Sequence, residues 1–99
     1  MDLYVDAVDP ALDAPVDPSL RRAVAAAART LVTKLERSSR TGYVRVSAEA
    51  DHVAGARIGQ AVRPLAAVVV RPGPPSVVTV GLNARSADAV LEILRRLAG

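Results

Sequence analysis

No cysteine, phenylalanine or tryptophan occurs in the 99-residue chain, and Tyr4 and Tyr43 are its only aromatics. The first absence excludes disulfides and thiolate metal sites and leaves the redox compartment open. The others leave a core of Val, Leu, Ile and Ala, and they remove the exposed rings on which single-strand readers stack bases. A stacking platform of the RRM kind is therefore not expected, with only Tyr43 available for it. His52 is the sole histidine, and without a thiol or second imidazole it cannot join a zinc site or a Cys–His pair. It reads as a polar loop residue beside Asp51. No apolar run approaches the roughly 20 residues of a spanning helix; the stretch 65–70 is far shorter, so no membrane partner is expected.

Basic residues are missing from positions 1–17, which hold five aspartates where a signal peptide needs positive charge and then an apolar run, so a cytoplasmic location is expected. Positions 18–99 then carry all 13 basic residues against five acids, a local balance of +8, and twelve of the 13 are Arg. The planar arginine fork matches phosphate geometry where lysine cannot. A basic body of this kind fits polyanion binding, and it fits equally an ordinary solvated surface with an Ala/Val/Arg/Asp/Pro usage typical of GC-rich bacterial genomes.

What is present in quantity is apolar surface, 51% of the residues, enough for one packed domain over 1–99. Leu3–Val8 reads as a first strand. The Asp/Pro-rich stretch 10–17 reads as an exposed loop, because its prolines fit neither a regular helix nor a central strand. Asp17-Pro18 marks a helix start, and Leu20, Val24, Ala27, Leu31 and Leu35 give one apolar stripe through a helix over 19–37. Strict alternation over 43–50 predicts a half-buried strand. The glycines at 55 and 59 and Pro64 mark 51–64 as loop or irregular strand. The runs 65–71 and 76–83 about Pro72-Gly73-Pro74-Pro75 predict an antiparallel hairpin. Ser86 caps a last helix whose stripe is Ala87, Val90, Leu91, Leu94 and Leu97. The expected class is α+β, in the order β-α-β-β-β-α, with a four-stranded mixed sheet and two helices packed on one face. Strands two to four would form an antiparallel meander.

Reactive groups do not converge in the sequence. Ser19, Ser38, Ser39, Ser47, Ser76 and Ser86 sit in no nucleophile elbow, and neither Gly55–Gly59 nor Pro72–Pro75 fits a phosphate loop. Asp6, Asp9, Asp13 and Asp17 lack EF-hand spacing. No catalytic residue, metal or cofactor is expected; an enzyme would need a deep pocket lined by Asp51, His52 and Arg57.

Charge is the more informative pattern. Arg22, Arg29 and Arg40 fall at spacings of seven and eleven, with Arg37 near the same line and Arg21 and Lys34 toward the edges of the apolar stripe. Arg95 and Arg96 close the last helix, and Arg45 projects from the polar face of its strand. Such ridges hold phosphate backbones by charge. Arg37, Arg95 and Arg96 also suit helix C-termini without any partner. Arg21 and Arg22 do not, because the first turn disfavours positive charge, so they point more directly to a ligand. Homodimerisation is the rival reading: if Val69 and Val77 face away from the helices, the outer sheet face offers an apolar interface.

Three phrases carry a family resemblance. L-R-R-A-V with L-V-T-K-L-E-R at Leu20–Arg37, the hairpin V-V-V-R-P-G-P-P-S-V-V-T-V, and the closing A-D-A-V-L-E-I-L-R-R-L resemble the short form of the hibernation-promoting factor / ribosome-associated inhibitor A family. The resemblance implies the β-α-β-β-β-α course and a stress-response regulator of translation. Such a protein docks on the small ribosomal subunit and meets ribosomal RNA in the decoding channel, excluding messenger and transfer RNA. The matching positions are Arg21, Arg22, Arg29, Lys34, Arg37, Arg95 and Arg96. The acidic Asp/Pro insert, a short second helix and the missing long-form dimerisation tail depart from the family pattern.

Overall fold

The computed structural model describes residues 18–38 and 41–99. The expected first strand, the Asp/Pro loop, the Asp17 cap and Arg40 lie outside them.

Helix α1 spans Pro18–Arg37 and buries Val24, Ala27, Ala28, Leu31 and Leu35, nearly the stripe read from the sequence. Proline supplies the first helical φ without losing a needed donor, and the alanines at 25–28 add intrinsic propensity. The helix closes where the Ser38 hydroxyl donates to the Leu35 carbonyl at 2.7 Å. Gly42, at φ +85°, then turns the chain into strand β1, Tyr43–Glu49. Val44, Val46 and Ala48 of β1 are buried, and Tyr43, Arg45 and Glu49 are exposed.

The segment expected to be irregular is instead helix α2, His52–Val62. Asp51 caps it, its carboxylate accepting from the Ala54 amide at 2.8 Å. The glycines serve approach to the sheet rather than chain reversal. A Cβ at Gly55 would lie 3.0 Å from Val70 Cγ2, and one at Gly59 3.3 Å from Val68 Cγ1. Being four apart, they form one flat strip on which the helix rests against the sheet.

Strands β2, Ala67–Arg71, and β3, Val77–Asn83, form the expected antiparallel hairpin. A short 3₁₀ turn, Ala84–Ser86, leads into α3, Ala87–Ala98. Ser86 occupies the cap position of α3 without a side-chain cap bond.

Two expectations about the sheet need correction. Among the described residues it has three strands, in the order β1-β3-β2, and every pairing is antiparallel. The meander is absent because α2 carries the chain from β1 past one strand position to β2, and the hairpin returns β3 into that gap. The described residues form three α-helices rather than two. Their buried residues join Val44, Val46, Ala48, Val68, Val70, Val78, Val80 and Leu82 in one cluster, so all three cover the same sheet face. Leu31, Leu35, Ile58, Leu91 and Leu94 are fully enclosed there, each stabilising the fold by about 1.5–3 kcal/mol relative to exposure.

None of the described helices covers the opposite face. Its rows run Arg45–Gly81–Ala67, Ser47–Thr79–Val69 and Glu49–Val77–Arg71. Val69 and Val77 do point away from the helices, but both are half-buried and flanked by polar or charged neighbours. Among the described residues the large apolar side chains most exposed are Tyr43, Val53 and Leu65, which form no common patch on this face.

Candidate functional site

Helices α1 and α3 run in opposite senses along their contact: Arg29 meets Ala98, and Glu36 meets Arg95. The start of α1 therefore lies beside the end of α3, and α2 packs against both. Where the three meet, Arg21, Arg22, Val24, Ala25, Arg57, Arg96, Leu97 and Gly99 line a cavity of about 510 Å³. That size falls within the roughly 300–1,000 Å³ of small-molecule clefts. Its walls are apolar between the four arginines.

Arg57 is the unusual member. Its Nε and Nη2 are closed off from solvent and neither finds a hydrogen-bond partner. An unsatisfied buried donor costs about 1–3 kcal/mol, more when charged. Arg21 makes no hydrogen bond to a described residue, and Arg22 makes only a long one of 3.5 Å to the Ser19 hydroxyl. Both sit at the start of α1, where the first turn holds no acidic residue and the helix dipole is positive. Arg96 is paired with Glu92 at 2.7 Å, but the two side chains are 74% and 66% exposed, so water screens the pair and an incoming anion can compete for Arg96.

The remaining candidates are dispersed. Arg29 borders the same end of the molecule and donates to the Ala98 carbonyl at 3.2 Å, satisfying the last turn of α3. Lys34 reaches the other way, donating to the Ser47 carbonyl of edge strand β1 at 2.6 Å. Arg37 lies in the last turn of α1, about 22 Å from Arg22 at 1.5 Å per residue. Arg95 is held by Glu36 at 2.6 Å. Arg45 projects from the opposite side of the sheet. Of the expected set, then, Arg21, Arg22 and Arg96 share one cavity, Arg29 is adjacent, and Lys34, Arg37, Arg45 and Arg95 are elsewhere.

Arg57 was missed because its segment looked like a loop. The available signal was Asp51 as a cap, followed by Ala54, Ile58 and Val62 at spacings of four. The three residues an enzyme reading required serve different places: Asp51 caps α2, His52 is exposed in its first turn, and Arg57 lines the cavity beside α1 and α3. A shallower depression elsewhere is lined by Glu49, Ala50, Asp51, Pro75 and Ser76. Among the described residues, no three His, Cys, Asp or Glu side chains group to hold a metal, and no helix is long and apolar enough to cross a membrane.

Comparison with models of known families, with curated proteins and with solved structures returns no match. The geometry alone bears on function.

Proposed function

We propose that this chain is a non-catalytic RNA-binding module, and that the cleft between the start of α1, the middle of α2 and the end of α3 is where it meets phosphate. The observation that carries the reading is the convergence of arginines from three helices on one cavity. Arginines that merely solvate a surface have no reason to be drawn together, because like charges repel and Arg57 loses hydration there. A phosphate-bearing partner supplies the missing acceptors as charge-assisted, bidentate hydrogen bonds. RNA is favoured over a protein partner because the cleft is cationic, while the outer sheet face lacks a continuous apolar patch.

Docking in the decoding channel of the small ribosomal subunit is the specific form that the family resemblance implies. The additional helix α2 and the strand order β1-β3-β2 depart from the course that resemblance led us to expect. The RNA reading therefore rests on the cleft and not on the resemblance.

Co-sedimentation with purified small subunits, and binding to a structured RNA fragment, test the two levels. RNA binding that weakens steeply between low and moderate salt, and that Arg21→Glu with Arg22→Glu abolishes, supports the general reading. Pelleting with subunits adds the ribosomal form. A folded wild-type protein that binds neither probe at low salt overturns both.

A further inference from the structure

We propose that the arginine-lined cavity is a one-nucleotide pocket, taking a nucleoside monophosphate group with its phosphate against Arg57. The inference rests on the reading of the same cleft as the phosphate-binding site, and it specifies what enters.

Two features define the occupant. The first is charge. Arg21, Arg22 and Arg57 have no carboxylate partner among the described residues, and Arg96 is held only by the exposed Glu92. An internal phosphodiester brings one negative charge to this cluster. A terminal phosphate monoester brings nearly two at neutral pH and more free oxygens, as phosphorylated side chains do, and so matches it better. The second is the wall. Val24, Ala25 and Leu97 lie between the guanidinium groups, so a bare inorganic anion leaves apolar surface uncovered. A planar base covers it, and arginine planes stack on bases where aromatic rings are missing. Arg57 reaches this cavity from the middle of α2 and joins the exposed Arg21 and Arg22 of α1 in lining it. The source is either a free mononucleotide or the phosphorylated end of an RNA chain.

Thermal unfolding in the presence of AMP, adenosine, inorganic phosphate and chloride of matched ionic strength tests the pocket. Two RNAs of one sequence, with and without a 5′-phosphate, separate the sources. Ligand that binds only the folded state raises the midpoint in a saturable way. The expected order is AMP first, inorganic phosphate needing at least tenfold higher concentration, and adenosine and chloride without saturable effect. Arg57→Met, which keeps the stem and removes the charge, should unfold no more easily than wild type without ligand and should lose the AMP response. Arg57→Lys, a second variant that keeps the charge, should respond at least tenfold more weakly.

An AMP response no larger than that to chloride, or one that persists in Arg57→Met, overturns the pocket. Preference for 5′-phosphorylated RNA over its hydroxyl twin, lost in Arg57→Met, supports an RNA end as occupant. AMP binding without that preference supports the free nucleotide. If RNA binds through Arg22 while AMP is ignored, the RNA reading stands and the pocket falls. If AMP binds through Arg57 while no RNA binds, the pocket stands and the RNA reading falls.

Discussion

The ring of Tyr43 lies across Gly81 on the open face of the sheet, so that any side chain at position 81 would collide with the phenol. Tyr43 is paired in register with Asn83, and Gly81 with Arg45, which makes the two residues diagonal neighbours on adjacent strands. Glycine here leaves room for a cross-strand aromatic, and the aromatic in turn covers the backbone that glycine leaves bare. Gly81 is accordingly buried on the face that the described helices leave uncovered.

The pair should behave as a unit. Gly81→Ala is expected to destabilise the protein by about 0.2–1 kcal/mol, because Tyr43 must leave its cross-strand site. In a Tyr43→Ser background the same change should be neutral or stabilising, since alanine fits a strand interior better than glycine. Urea unfolding of the two single mutants and the double mutant gives the coupling. Equal losses in both backgrounds would mean the contact carries no energy.

Gly55→Ala should also destabilise, although alanine is the better helix former by about 1 kcal/mol. The added methyl would stand 3.0 Å from Val70 Cγ2, and overpacking of a core costs about 1–3 kcal/mol. Gly59→Ala, whose nearest contact is 3.3 Å, should cost less. Trimming the opposing strand with Val70→Ala should recover part of the Gly55→Ala loss. A Gly55→Ala variant more stable than wild type would show that α2 does not rest on the sheet through this strip.

Asp51→Ala should cost about 1 kcal/mol, with Asp51→Asn nearly neutral, because the Ala54 amide needs an acceptor and not a charge. The denaturation midpoint checks this. A loss in Asp51→Asn as large as in Asp51→Ala would assign the residue an electrostatic role instead.

These residues also explain what the sequence disclosed and what it concealed. Elements with one wet and one dry face were legible. The stripe of α1, the alternation of Val44, Val46 and Ala48, the hairpin at 67–83 and the stripe of α3 each obey a single period, and their positions agree within a residue or two. Helix α2 was concealed because it is sandwiched: Ala54, Gly55, Ala56, Ile58, Gly59 and Val62 are all buried, so no polar face alternates with an apolar one. Its glycines, needed for close approach, gave the signal of a loop. Losing α2 lost the crossover, hence the strand order, and also Arg57. In the sequence the cationic ridge is a line along one helix, whereas the cavity arises where helix ends meet. Arg21 and Arg22 were legible because they contradict the helix dipole; Arg57 depended on tertiary packing.

That contrast yields a test of which face carries the electrostatics. Arg22 lines the cavity, whereas Arg45 stands on the far side of the sheet and Arg95 is engaged by Glu36. All three are arginines on one small protein, so reversing any of them changes net charge equally. If binding to RNA were a matter of total charge alone, Arg22→Glu, Arg45→Glu and Arg95→Glu would weaken it alike. Contacts formed in the cleft make a different demand. Each phosphate neutralised on a single strand contributes about 0.7 to the slope of log affinity against log salt. Arg22→Glu should therefore lower affinity about tenfold or more at low salt and flatten that slope by roughly one contact. Arg45→Glu and Arg95→Glu should leave the slope unchanged and the affinity within about threefold, the residual long-range effect of charge being screened within a Debye length of about 10 Å. Fluorescence anisotropy across a series of KCl concentrations measures both quantities. Equal flattening by Arg45→Glu would move the RNA to the open sheet face, beside Tyr43, and leave the three-helix cleft without a polynucleotide role.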